Sequence, residues 1–128
     1  MTYYINKTIS SEFDEAIELV TEALKNEGFG VLSEIDIQQK MKEKLNVDFR
    51  KYIILGACSP AKAYEALKLE DKIGTMLPCN VILQEIGKNQ VEVAAVDPLA
   101  SMMAVGNEEL ATIASDIRAK MQRVIASL

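Results

Sequence analysis

The sequence has no histidine and no tryptophan, and only two cysteines and three prolines in 128 residues. Without histidine, Ser-His-Asp and Cys-His nucleophile systems cannot be assembled within one chain. Histidine zinc sites are excluded as well, and two thiols cannot close a tetrahedral thiolate site unaided. Cys58 and Cys79 are too far apart for a Cys-x-x-Cys motif. Neither Gly-x-Gly-x-x-Gly nor Gly-x-x-x-x-Gly-Lys-[Ser/Thr] occurs, so the nucleotide signatures are missing. We expect no cofactor and no structural zinc, and assign no metal ligands. Net positive charge is also lacking: the chain carries −5, whereas a nucleic-acid partner needs a basic face. Lys40, Lys42 and Lys44 are diluted by Glu43 and Asp48 and read as a solvated helix face. The longest uncharged run, Ile73 to Gln84, is broken by Gly74 and Pro78. A bilayer span needs about 20 apolar residues, so no membrane partner is expected. Glu12, Asp14 and Glu15 follow the N-terminus too soon for a signal peptide. The expected address is the cytoplasm, where thiols stay reduced.

What is present is an ordinary globular composition, 49% hydrophobic and 26% charged. That is enough for one domain, residues 1–128, with its own core. Tyr3 to Ile9 reads as a strand. Ser11 opens a helix whose apolar stripe is Phe13, Ala16, Ile17, Val20 and Leu24, stopped at Gly28. Phe29 to Ile37 alternates as a strand, yet Asp36 could cap a short helix through Ile37, Met41 and Leu45. The apolar run Tyr52 to Ala57 suits a strand covered on both faces. Ser59-Pro60 starts the next helix, and Ile73 to Pro78 reads as a loop. Val81–Ile86 and Val91–Val96 form a hairpin around Gly87-Lys88-Asn89, and Asp97-Pro98 ends the sheet. Asn107 caps a long last helix with an apolar stripe from Leu110 to Leu128. The sum is an α+β fold: one mixed or antiparallel sheet of about five strands with helices packed on one face. Several strands are apolar on both sides, so a second copy of the chain is expected to cover the other face.

Chemistry concentrates where the cysteines meet prolines. Cys58 stands before Ser59 and Pro60; Cys79 stands between Pro78 and Asn80. A thiol at a helix N-terminus gains from backbone amides and the helix dipole, which lower its pKa. On that ground Cys58 is expected to be the more reactive thiol. The competing reading makes it a small buried hydrophobe closing a strand. If the two strands are neighbours, the thiols share one end of the sheet. Met76, Met102 or Met103 would then add a soft lining suited to Cu(I) or an apolar ligand. Glu85 and Glu92 could form an acid–base pair across the hairpin, or simply occupy the solvated face. Asp97 could act as an acid, but turn termination explains it. Tyr52 and Tyr64 could offer hydroxyls or pack their rings.

The segments Tyr52 to Ala63, Leu77-Pro78-Cys79-Asn80-Val81 and Val96-Asp97-Pro98 together resemble the prokaryotic family called domain of unknown function 302. The resemblance spans nearly the whole chain. It implies a compact α+β domain of TATA-binding-protein-like topology and a homodimer. It carries no established activity, so the family-like site Cys58, Ser59, Pro60, Pro78, Cys79, Asn80 and Asp97 arrives without catalytic roles. The reading it leaves is a non-enzymatic binding or interaction module. Such a module would bind an unidentified small ligand near Cys58 and Cys79. A thiol redox protein or sensor and a soft-metal binder stand as rivals.

Overall fold

A computed structural model describes residues 2–128. Its elements run β1 (Tyr4–Ser10), α1 (Phe13–Asn26), β2 (Gly30–Asp36), α2 (Ile37–Leu45), β3 (Tyr52–Cys58) and α3 (Pro60–Leu69). They continue with β4 (Cys79–Gly87), β5 (Gln90–Val96), α4 (Pro98–Met102) and α5 (Glu109–Ala126). The strands form one sheet in the order β1-β5-β4-β3-β2, and every neighbouring pair is antiparallel.

Helices α1 and α5 lie against the same face of this sheet. Side chains alternate along each strand, so Leu55 and Ala57, Val81 and Leu83, and Val91, Val93 and Ala95 all point into that layer and are buried. The helices answer with the stripes read from their spacing. Phe13, Ala16, Val20 and Leu24 come from α1, and Leu110, Ile113, Ala114, Ile117, Met121, Val124 and Ile125 from α5. Nothing of α2 is buried, and two of its lysines, Lys40 and Lys42, face solvent in pairs with Glu43 and Asp48.

Local chemistry sets several boundaries. Gly28 adopts φ +83°, donates to Lys25 O at 3.0 Å, and lets Phe29 N reach back to Leu24 O at 2.9 Å. This double closure favours a glycine and seats buried Phe29 against the helix end. The two readings of residues 29–45 are both realised, and they meet at Asp36. That residue ends β2 and its carboxylate accepts from Gln39 N at 2.9 Å. Two expectations change, and one short helix is added. Ser11 does not cap α1, because the helix begins at Phe13 and the serine hydroxyl donates to Glu12 O instead. Residues Asp71–Met76 wind into a 3₁₀ turn rather than a plain loop. The apolar segment after Asp97 contains the short helix α4.

Candidate functional site

Three central strands finish or begin at one end of the sheet. Cys58 is the last residue of β3 and Cys79 the first of β4, and Ala57 lies directly opposite Cys79. The β4–β5 register, Val81 opposite Ala95, carries on past Cys79 toward Asp97. The chain's three prolines sit at these same ends: Pro60 opens α3, Pro78 precedes β4 through a cis peptide, and Pro98 opens α4. The segments singled out in the sequence therefore converge in space, although not every side chain shares a cavity.

Cys58, Ser59 and Cys79 line one crevice, with Lys62 of α3, Met102 of α4 and Ile117 of α5. Its volume is about 10 Å³, roughly the room one water molecule needs. An organic ligand does not fit. Both cysteines are free; Cys58 is half-buried and Cys79 buried. Burial pushes the Cys58 thiol up from 9.0. Burial, reinforced by neighbouring Cys58, pushes Cys79 up to about 11. The direction at Cys58 is opposite to that expected from its position before a helix. Ser59 has the extended backbone of an N-cap and its hydroxyl makes no capping bond; at Cys58 desolvation prevails over the helix terminus. Of the three methionines considered as lining, only Met102, 6% exposed, reaches the crevice. Met76 and Met103 are 38% and 66% exposed.

Asp97 serves the fold. It is buried, caps α4 by accepting from Leu99 N at 3.0 Å, and accepts from Arg118 Nε of α5 at 2.9 Å. Its own N–H donates to Tyr3 O at 2.7 Å, so it ties together β1, β5, α4 and α5. Asn80 is exposed and lines a different hollow. Pro78 packs over Gly56: a Cβ there would stand 2.8 Å from Pro78 Cγ and overlap Ser33 Oγ.

The helix-free face of the sheet holds that larger hollow, about 400 Å³, bordered by Tyr3, Tyr4, Tyr52, Asn80, Ile82 and Ala94 among others. A hydrogen-bonded chain crosses this face. Arg50 Nε donates to Gln84 Oε1 at 2.8 Å, and Gln84 Nε2 donates to Glu92 Oε1 at 2.7 Å. Asn6 Nδ2 donates to Glu92 Oε2 at 2.9 Å. The partner of Glu92 across the hairpin is Gln84, whereas Glu85 lies opposite Val91. Glu85 and Glu92 therefore do not form an acid–base pair. Tyr52 borders the hollow, while Tyr64 is exposed beneath Lys68. Lys62 and the Arg50–Gln84–Glu92–Asn6 chain were not legible beforehand. Both depend on strand register and helix rotation, which residue types alone do not specify.

Fold and site together define a small α+β protein built on one antiparallel sheet, with two free thiols at one end and one sheet face free of helices. The chain belongs to the family described as Domain of unknown function DUF302, which it matches over residues 5–128. Among solved structures it is similar to the uncharacterized conserved protein DUF302 from Bacillus stearothermophilus. That match has 27% identity and a TM-score of 0.90, and it covers 98% of each chain. No curated protein matches. No helix among the described residues is long and apolar enough to cross a membrane.

Proposed function

We propose that this protein is a non-enzymatic interaction module that works as a homodimer, with the two copies joined through their helix-free sheet faces. The observation that carries the reading is the state of the polar groups on that face. Both carboxylate oxygens of Glu92 already accept hydrogen bonds, from Asn6 and Gln84, and Gln84 in turn accepts from Arg50. Polar groups that satisfy one another in this way can lose their water at low cost. Around this chain stand Ile35, Ile54, Ile82, Ala94 and Val96, none of them fully covered.

Size supports the same occupant. Five strands of about seven residues give a face of roughly 24 by 23 Å, on the scale of the ~800 Å² each partner buries in a stable complex. The hollow beside Tyr52 would take side chains of the partner. Two unbridged thiols support a cytoplasmic setting for the dimer.

Light scattering on a sizing column tests the proposal. The wild-type chain is expected to run as a dimer at about 10 μM, well above a nanomolar dissociation constant. Ile82→Asp, which places an unpaired charge in the middle of the face, is expected to run as a folded monomer. A monomeric wild type, or an Ile82→Asp variant that stays dimeric, would sink the proposal.

A further inference from the structure

The crevice at the strand ends is too small for a molecule but has room for a single ion. Three sulfur-bearing residues line it, Cys58, Cys79 and Met102, each on a different element. No carboxylate lines it. Apart from the sulfurs, its polar lining consists of Ser59 and Lys62, and the rest is apolar, including Phe29, Ala66 and Leu77. Hard cations such as Mg²⁺ and Ca²⁺ require several oxygen ligands and find none here. Zinc favours four ligands of nitrogen, sulfur or carboxylate type. Two thiolates and a thioether form the soft donor set that selects Cu(I).

We propose that Cys58, Cys79 and Met102 form a three-sulfur site for copper(I), one ion per chain. On binding, each of the two thiols releases its proton to solvent and forms a sulfur–copper bond. The Met102 thioether donates a lone pair and releases nothing. No electron changes hands, since copper enters and stays as Cu(I). The ion with two thiolates carries one negative charge. Lys62, which lines the crevice while its ammonium pairs with Asp116 at 3.2 Å and Glu65 at 3.8 Å, offsets part of it. Half-buried Cys58 provides the way in, while Cys79 and Met102 keep the far side dry.

The site uses residues of one chain and is independent of the dimer proposed above. The test titrates the full-length reduced protein with Cu(I) under anaerobic conditions against a chromophoric Cu(I) chelator. X-ray absorption on the loaded wild type then reads the ligands. The expected result is one retained ion per chain with a sulfur-only coordination shell, and no comparable retention of Zn²⁺. Cys58→Ser should lose retention. Met102→Leu conserves volume and should weaken retention by about tenfold or more, since losing even an outer partner of a metal ligand costs that much. Circular dichroism confirms that each variant is folded, and the wild-type absorption spectrum stands whether or not a variant folds. The proposal is overturned if the chelator strips all copper from the wild type or nitrogen or oxygen ligands dominate the shell. One ion per two chains, tighter retention of zinc than of copper, or unchanged retention in folded Cys58→Ser would overturn it equally.

Discussion

Gly56 is held to glycine by its neighbours and not by its own backbone angles. Ser33 Oγ and the Pro78 ring occupy the space a side chain would need. Ser33 can rotate away, but a proline ring has little freedom. Gly56→Ala is therefore expected to cost about 1–3 kcal/mol by overpacking, read from denaturant midpoints. Adding Ser33→Ala should recover only part, since Pro78 remains. The thiols make a different kind of prediction. Cys79 rises from 9.0 to about 11 because the fold shelters its neutral form. Its contribution is whole below about pH 9 and is lost as pH climbs through 11. Between about pH 8 and pH 11 the wild type should lose on the order of 2 kcal/mol more stability than Cys79→Ala. Urea midpoints at the two pH values check this. Iodoacetamide should label Cys58 first, because it is the more open thiol. That both cysteines stand where strands meet turns was legible in the sequence; their juxtaposition depended on β3 and β4 being neighbours, which the register shows. The crevice's size was not, because it depends on how α3, α4 and α5 close over the strand ends.

Among the elements, α4 and α5 depend on one carboxylate. Asp97→Ala removes the cap at Leu99 and the partner of Arg118. It should lower stability by about 1–2 kcal/mol. Asp97→Asn retains an acceptor for Leu99 N and should cost less; thermal unfolding of the two variants ranks them. The long stripes of α1 and α5 were plain from their spacing, since a repeat of 3.6 over many residues has one structural reading. Shorter segments were harder. Residues 29–45 carried both a strand pattern and a helix pattern, and the structure uses each in turn, divided at Asp36. The five-residue helix α4 was hidden in an apolar stretch too short to show a period. The hairpin was evident, but its register was not. The two-residue loop Lys88-Asn89 and the irregularity between Glu85 and Gly87 set Glu92 opposite Gln84. A slip of one residue sends a side chain to the other face, and that is how Glu85 parted from Glu92.

At the scale of the whole molecule, the sheet has helices on one side and a self-satisfied polar network on the other. The expectation of an α+β sheet with helices on one face followed from the order of strands and helices; the run Tyr52 to Ala57, read as covered on both faces, is buried on the helix side at Ile53, Leu55 and Ala57 and only half-buried at Tyr52 and Ile54. The network was out of reach of sequence reasoning, because Arg50, Gln84, Glu92 and Asn6 come from four separate parts of the chain. The sheet also has two margins, β1 and β2. A margin strand offers unpaired backbone groups that can recruit strands from other molecules. On β2 the apolar Leu32 and Ile35 are exposed, which would make that margin adhesive. The register break between Val31 and Ser33 falls in the middle of it, and Glu34 and Asp36 add negative charge. A bent, charged margin is a poor template for an incoming strand. The irregularity in β2 thus makes edge-to-edge growth unfavourable, which leaves the broad face as the surface on which the proposed dimer would have to form.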